Sequence, residues 1–195
     1  MMAHEFLIAV RMTIVTIVLT GLIYPAVVTG LAQVLFPDQA NGSLIKDESG
    51  QVVGSSLIGQ PFSRPEYFWP RPSAAGSGYD GKSSGGSNLG ATSRKLYDRI
   101  QADVERLRNE NPAAQGPLPG DLVTASASGL DPHITPAAAR WQVPRVAKAR
   151  GVDAERVRKA VEAHVQGRSL GFVGEARVNV LELNLALDKQ FGKRH

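Results

Sequence analysis

The chain has 195 residues, a formal net charge of +4 and no cysteine. The absence of cysteine excludes a disulfide scaffold, a zinc site built from thiolates and a cysteine nucleophile. The length allows one ordinary domain with a hydrophobic core of its own in addition to a membrane segment.

Residues 12–36 are the first predicted element, a transmembrane helix. No charged residue occurs between Arg11 and Asp38, and about 20 apolar residues in a helix cross the hydrocarbon core of a bilayer. Two alternatives stay open. A cleaved signal peptide usually has a shorter apolar region, and a buried helix of a soluble core normally shows a polar face. The predicted division is a cytoplasmic stub over residues 1–11, the membrane helix, and one domain over residues 37–195.

The orientation of the membrane helix follows from the basic residues that flank it. Arg11 precedes the predicted span, whereas no lysine or arginine follows it until Lys46. The positive-inside rule then places the N-terminus in the cytoplasm and the bulk of the chain outside. We therefore expect a single-pass protein of the bacterial inner membrane with an extracytoplasmic (periplasmic) domain.

The membrane helix contains small and weakly polar residues that a lone anchor does not need. Gly and Thr allow a second helix to approach closely. A proline near mid-span should kink the helix or free a carbonyl, which must find a partner in lipid. We expect contacts with partner helices at Thr20, Gly21, Tyr24, Pro25 and Gly30. The alternative is that Gly and Thr are simply common in membrane helices.

The rest of the chain predicts a small α+β domain that is rich in helix in its second half. Residues 43–60 predict a β-hairpin around the turn at Glu48 to Gly50. Tyr67 to Trp69 lie among prolines, which predicts a rigid aromatic loop that packs on the core. Residues 73–90 are rich in Gly and Ser and predict a flexible linker.

Capping residues and apolar periodicity predict the later elements. Residues 121–133 predict a short strand followed by a loop. Residues 178–187 fit both a helix and a strand, and Asn179 as a cap favours the helix. The three other predicted helices are about 94–109 after Thr92 and Ser93, 136–150 after Thr135 with an interruption or restart at Pro144 and an end at Gly151, and about 154–166 after Asp153.

Two patterns carry weak signals for chemistry. The glycine-rich segment 83–88 precedes a helix start, where backbone N–H groups can bind an anion. It lacks the P-loop and Rossmann spacings, which favours a flexible loop over a phosphate site. The second pattern has the residue types of a hydrolase triad, but triads draw their members from separate parts of a fold. A turn at the aspartate is therefore favoured over catalysis. The residues of this second pattern are Ser126, Ser128, Asp131 and His133.

Other ligand classes have less support. The four histidines lie far apart in sequence and predict no metal site. The basic residues from Arg140 to Arg168 are typical of a solvated helix face, and apart from Trp141 they lack the interleaved aromatic residues that stack on nucleic-acid bases. These features describe a binding or accessory subunit better than an enzyme. The alternatives are an anchored module that binds a peptide or sugar with Tyr67 to Trp69, and an anchored hydrolase.

Four stretches of the chain match a known pattern at family-like spacing. On these stretches the chain resembles the C subunit of the Kdp potassium-transporting P-type ATPase over essentially its whole length. The stretches are LTGLIYP at 19–25; GSSLIGQ at 54–60 with YFW at 67–69 and RPS at 71–73; SGGSNLG at 84–90; and VTAS at 123–126 through GLDPHI at 129–134 to QVPRVA at 142–147.

The resemblance implies a non-catalytic accessory subunit of a high-affinity, ATP-driven potassium uptake complex. Its implied partners are a channel-like potassium-translocating subunit and a P-type subunit that hydrolyses ATP, together with membrane lipid and no nucleic acid. The C subunit of this family looks like an assembly and stabilising partner. It is also described as a catalytic chaperone that raises the ATP affinity of the hydrolysing subunit. No tightly bound cofactor is implied, and ATP would be met through the hydrolysing subunit.

The resemblance also marks candidate nucleotide-contacting residues. The glycine loop is similar to the signature loop of ABC transporters, and a glutamine of the family has been linked to nucleotide contact. The candidates are Ser84, Gly85, Gly86 and Gln142. This expectation conflicts with the predicted topology, because cytoplasmic ATP cannot reach a domain on the outer side of the membrane.

Overall fold

The structure, a computed structural model, describes residues 2–47 and 49–193. The chain divides into two compact units, Met1–Val53 and Gly54–His195. Each unit is described separately below. Glu48, which belongs to the predicted hairpin turn, lies outside the described residues.

The first unit contains one long helix, Met2–Leu35, which is long and apolar enough to cross a membrane and begins before the predicted start at residue 12. None of its described residues is buried. A helix that is apolar on all sides is typical of a membrane span. The structure therefore agrees with the predicted membrane helix. Its parts are α1 (Met2–Ile17), a π-helical segment (Val18–Ile23) and α2 (Tyr24–Leu35).

The π-helical segment ends just before Pro25. Proline has no N–H to donate to the carbonyl four residues earlier, and its ring crowds that carbonyl. The backbone N–H of Tyr24 donates instead to the carbonyl oxygen of Leu19, five residues back. The Thr20 hydroxyl donates to the carbonyl oxygen of Thr16 at 2.7 Å. The predicted disturbance at mid-span thus takes the form of a widened helical turn.

A short helix and the predicted hairpin follow. The helix is α3 (Pro37–Ala40), and the two paired strands are β1 (Leu44–Lys46) and β2 (Val52–Ser55). The Asp47 carboxylate accepts hydrogen bonds from the backbone N–H groups of Ser49 and Gln51, both at 2.9 Å. This is the usual way in which an aspartate closes a turn.

The second unit combines four helices with a small antiparallel sheet. The sheet has the strand order β3–β5–β4, with Ile134 and Val165 both paired to Val178. Helix α5 packs against α6, and α6 packs against α7. The elements are α4 (Arg94–Glu110), a 3-10 turn (Gly120–Leu122), β3 (His133–Ile134), α5 (Pro136–Arg150), α6 (Ala154–Ala163), β4 (Val165–Gln166), β5 (Arg177–Asn179) and α7 (Val180–Phe191).

The predicted caps begin all four helices. The side chains of Ser93, Thr135, Asp153 and Asn179 each accept a hydrogen bond from a backbone N–H in the first turn, and Gly151 ends α5 in the left-handed conformation at φ 64°. These contacts satisfy N–H groups and carbonyls that a helix leaves free at its ends. The α+β fold class is confirmed, and the predicted helix at 178–187 is confirmed from Val180 onward, whereas Val178 and Asn179 belong to β5.

Three local predictions are wrong. Residues 120–122 form a 3-10 turn and not a strand. Helix α6 ends at Ala163, and Val165 pairs in the sheet rather than extending the helix to residue 166. Helix α5 runs through Pro144 without interruption. Proline inside a helix costs about 3 kcal/mol, and the burial of most of α5 offsets that penalty.

Candidate functional site

The aromatic loop, Tyr67 to Trp69, is packed into the core as predicted. The exposed fractions of its three residues are 8%, 0% and 8% in chain order. Because its rings face the protein interior, the loop offers no aromatic platform to a peptide or sugar. The hypothesis of a binding module that uses these rings is therefore wrong for this structure.

Two amide side chains hold the backbone of the aromatic loop. Gln142 of α5 accepts from the N–H of Trp69 at 2.8 Å and donates to its carbonyl oxygen at 3.1 Å. Asn184 of α7 makes the same pair of bonds to Phe68, at 2.8 and 3.0 Å. Both amides are essentially fully buried. A buried backbone group without a hydrogen-bond partner is costly. The two amides therefore supply the hydrogen bonds that a neighbouring strand would otherwise make with this proline-rich loop.

Arginines complete this buried network. The Arg145 guanidinium lies 3.5 Å from the centre of the Trp69 ring and donates to the carbonyl oxygens of Pro65 and Tyr67. Burial lowers the pKa of Arg145 to about 10, so this side chain stays charged at neutral pH. The ring face stabilises that charge by a cation–π interaction. Arg145 thus fixes the loop against α5.

Arg150 makes a second buried link, to α7. It is 1% exposed, donates to the Glu66 carbonyl oxygen at 2.8 Å and pairs with the Asp188 carboxylate at 2.7 Å. The Tyr67 hydroxyl donates to the other Asp188 oxygen at 2.9 Å. Burial and the bond to Asp188 raise the pKa of Tyr67. Arg145 and Arg150 therefore depart from the expected solvated basic face, to which exposed residues such as Arg158 conform.

The glycine-rich segment is an ordered loop and not a flexible linker. The N–H of Gly85 and the hydroxyl of Ser84 both donate to the carbonyl oxygen of Ser128, at 2.9 and 3.0 Å. A Cβ on Gly86 would lie 3.0 Å from the carbonyl oxygen of Ala127. The glycine and serine content of residues 73–90 predicts a flexible linker, but glycine also permits close approach of two backbones. In this loop the glycines serve that second purpose, so the prediction of flexibility is wrong.

Asp131 organises the loop next to this contact. Its carboxylate accepts from the backbone N–H of His133 and from the Arg71 guanidinium, both at 3.0 Å. Burial alone would raise the pKa of Asp131, but the bonds from His133 and Arg71 outweigh it and hold the pKa below its ordinary value. The predicted turn at Asp131 is confirmed. The hydroxyls of Ser126 and Ser128 lie 3.4 Å from each other, and the bonds described for His133 run to Asp131.

The candidate nucleotide residues belong to two separate contact networks. Ser84, Gly85 and Gly86 contact residues 127–128 at the surface. Gln142 is 0% exposed and uses both ends of its amide within the aromatic-loop network. Direct contact with a nucleotide at these four residues stays a prediction.

The predicted partner-contacting residues of the membrane helix cluster around the π-helical segment. Thr20 and Gly21 lie within it, and Tyr24 and Pro25 follow it directly. Tyr24 is 66% exposed. A Cβ on Gly30 would meet no atom within 4 Å. These positions are open to neighbouring helices, and contact with such helices stays a prediction.

Sequence reasoning missed Arg145 and Asn184 as organisers of the aromatic loop. One signal was present: Gln142 and Arg145 follow the buried Ala138 at the i+4 and i+7 positions, which share one helix face. Asn184 lies 116 residues from Phe68, which it binds, and Gln142 lies 73 residues from Trp69. Separations of that size leave no local trace in the sequence.

Comparison with known proteins places the chain among potassium-transport subunits. The family KdpC, described as "K+-transporting ATPase, c chain", matches residues 6–189. A protein of Myxococcus xanthus named "Potassium-transporting ATPase KdpC subunit" is 64% identical over 98% of this chain and 90% of its own length. Proteins of the same name from Koribacter versatilis and Rhodospirillum rubrum are 55% and 56% identical, over 96% and 91% of this chain and 95% and 91% of their own lengths. The chain therefore belongs to the KdpC family, the c chain of the K+-transporting ATPase.

Proposed function

We propose that this accessory subunit assembles and stabilises a potassium uptake complex without catalysing a reaction itself. Its partners are a channel-like potassium-translocating subunit and a P-type subunit that hydrolyses ATP. The membrane helix contacts partner helices around Thr20 to Pro25, and the domain over residues 37–195 lies outside the cytoplasm, at the bacterial inner membrane.

The membrane helix is the observation that supports this proposal most strongly. None of its described residues is buried against the described part of the chain, which supports cover by lipid or by other helices. The π-helical segment also widens the helix where small and hydroxyl-bearing residues concentrate. π-Helical turns are frequent at functional sites, and small residues recur where membrane helices pack closely.

An anchor exchange tests this role. Residues 12–36 are replaced by an unrelated span of Leu and Ala of equal length, and residues 1–11 are kept so that Arg11 still sets the orientation while the domain stays tethered to the membrane. If the native helix contacts partner helices, the exchanged chain stays in the membrane fraction but co-purifies poorly with the two partners. Normal recovery of the complex with the exchanged span would contradict these contacts. A matched control is Val34→Leu, near the far end of the helix.

Single-cysteine labelling tests the side of the membrane. The chain has no cysteine, so Arg94→Cys creates one site, at a side chain that is 84% exposed. We expect a membrane-impermeant maleimide to label this cysteine in intact spheroplasts. Labelling only after lysis would place the domain in the cytoplasm.

A role in raising the ATP affinity of the hydrolysing subunit is the second candidate. Ser84, Gly85 and Gly86 lie in a surface loop, which leaves that loop accessible to a partner. Gln142 would have to give up its bonds to Trp69 before it could touch a nucleotide. A Gly86→Ala substitution that raised the KM for ATP of the whole complex, without loss of subunits, would support this role. An unchanged KM would remove the loop from consideration.

A further inference from the structure

The two buried arginines of α5 differ in their negative partners. Arg150 forms an ion pair with the Asp188 carboxylate at 2.7 Å. Arg145, which is 6% exposed, donates instead to neutral oxygens, namely two backbone carbonyls and the side chain of Gln142. In the part of the chain that the structure describes, no carboxylate forms an ion pair with Arg145. A buried charge is costly to the fold unless an opposite charge accompanies it.

The carboxylates that act on Arg145 from a distance pair with other arginines. Burial lowers the pKa of Arg145 to about 10, and the negative charges of Glu110 and Glu66 offset only part of that effect. The ion pair of Glu110 is with Arg106, at 3.4 Å. That of Glu66 is with Arg64, at 3.0 Å. The positive charge of Arg145 therefore lacks a direct negative partner within the described chain.

Arg145 and Lys148 line one open cleft. The cleft has a volume of about 360 Å³, and its walls come from α5, Pro65 and residues 110–113. Lys148 follows Arg145 by three residues and therefore lies on the same face of the helix. Its side chain is exposed and forms no ion pair among the described residues. Because the acidic residue of the cleft, Glu110, pairs with an arginine of its own helix, the cleft keeps an excess of positive charge.

Asn111 adds an unused hydrogen-bond acceptor to the same cleft. This residue is 3% exposed, and its side-chain N–H donates to the carbonyl oxygen of Trp141 at 2.6 Å. Its Oδ1 atom is buried and has no hydrogen-bond partner among the described residues. A buried acceptor without a donor is costly. An N–H or O–H group of a ligand in the cleft would remove that cost.

Together these groups specify the chemistry of the ligand. The two cations favour a carboxylate, because charge-assisted hydrogen bonds are the strong ones. The Asn111 oxygen favours a hydrogen-bond donor beside that carboxylate. A free carboxylate anion meets the first requirement alone. An aspartate or glutamate within a peptide meets both, since its backbone carries an N–H close to the carboxylate.

We propose that this cleft binds the carboxylate of an aspartate or glutamate on an exposed segment of another protein subunit of the potassium-transporting complex. This inference rests on the proposed function, because it needs a complex in which the chain is an accessory subunit. It deepens that function by naming a contact surface outside the membrane helix and the class of residue that binds there.

Carbodiimide crosslinking tests the contact in the intact complex. The reagent activates a carboxylate, the amine of a lysine in contact with it attacks the carbonyl carbon, and the displaced oxygen leaves with the reagent as a urea. The product is an amide bond that peptide mass spectrometry locates. We expect Lys148 to be joined to an aspartate or glutamate of a second subunit severalfold more often than Lys159. Lys159 is the matched control, an exposed lysine of the neighbouring helix α6.

Other crosslinking results would overturn the inference. They are adducts of Lys148 to Glu110 of its own chain alone, or protein adducts that are no more frequent than those of Lys159. Protection of Lys148 from acetylation by inorganic phosphate, without a protein adduct, would indicate a free anion and would also overturn it. An intact complex without a protein adduct at Lys148 removes the cleft contact and leaves the proposed function standing. A chain that never co-purifies with other subunits removes both.

Substitution supplies a second readout. Lys148→Glu reverses a charge at the cleft, so we expect a severalfold loss of co-purified partner subunits. Lys148→Arg should keep their recovery while abolishing the crosslink, because it retains the charge but removes the amine. The unfolding midpoint of the full chain in detergent should not change in either variant, since Lys148 is exposed. Unchanged recovery with Lys148→Glu would contradict the contact. Lys159→Glu serves as the matched control.

Discussion

Two helices of this chain each contain an internal proline, and they respond differently. In the membrane helix the turn before Pro25 widens into a π-helical segment, and no side chain is buried. In α5 the helix continues through Pro144, and nine of its fifteen residues are buried. Packing against the rest of the domain thus keeps α5 regular despite its internal proline. In the membrane helix no described residue is buried, and under the proposed function lipid and partner subunits supply its surroundings.

The largest effect should come from removing a buried charge of the α5 network. Arg150→Ala leaves Asp188 without its cation and the Glu66 carbonyl without its donor. We expect a loss of about 3–5 kcal/mol in the free energy of unfolding. The fluorescence of the two buried tryptophans, Trp69 and Trp141, reports this unfolding for the full chain in detergent. Arg158→Ala is the control, because its exposed ion pair should contribute about 1 kcal/mol or less. Equal losses would contradict a buried role for Arg150.

A smaller loss should follow removal of an amide that holds the aromatic loop. Gln142→Leu leaves the N–H and carbonyl of Trp69 unpaired, which should cost about 2–3 kcal/mol. Asn184→Leu is the matched variant, since it leaves the N–H and carbonyl of Phe68 unpaired in the same way. If Gln142 instead serves mainly to contact nucleotide, Gln142→Leu will leave stability unchanged while Asn184→Leu lowers it.

The turn at Asp131 should make a modest, pH-dependent contribution to the free energy of unfolding. Because the pKa of Asp131 is lowered by folding, its stabilisation is present above the unfolded-state pKa near 4 and is lost as pH falls through the folded-state value. We expect Asp131→Asn to cost about 1 kcal/mol at pH 7, and the difference from the parent chain to shrink below pH 4 in acid titrations of unfolding. A difference that stays constant down to pH 2 would contradict this origin.

The smallest effect on the domain should come from the membrane helix. Pro25→Ala allows a regular α-helix but removes no contact from the second unit. We expect no measurable change in the unfolding midpoint reported by the tryptophans, together with a lower yield of assembled complex. A lower unfolding midpoint of the domain together with a normal yield of assembled complex would contradict this prediction.

Local signals predicted the helices well. Ser93, Thr135, Asp153 and Asn179 are capping residues whose effect spans three residues, so their role can be recognised from sequence. The membrane helix was equally visible, because its signal is a long uncharged run.

The remaining features depend on distant contacts. The glycine-rich segment is ordered by the 126–129 loop, and α6 ends early because Val165 pairs with β5. The aromatic loop is held by amides from two helices far along the chain. The exposure of Leu170 and Phe172 also escapes sequence analysis, since the same residues in a buried hairpin would look identical.

Purification of the intact chain from its native membrane tests the subunit role most directly. A C-terminal tag and a mild detergent should recover it with two larger membrane proteins in a fixed ratio, one of which becomes phosphorylated by ATP in a potassium-sensitive manner. Recovery of the tagged chain alone, as a single species with no associated ATPase, would contradict its role as an assembly subunit.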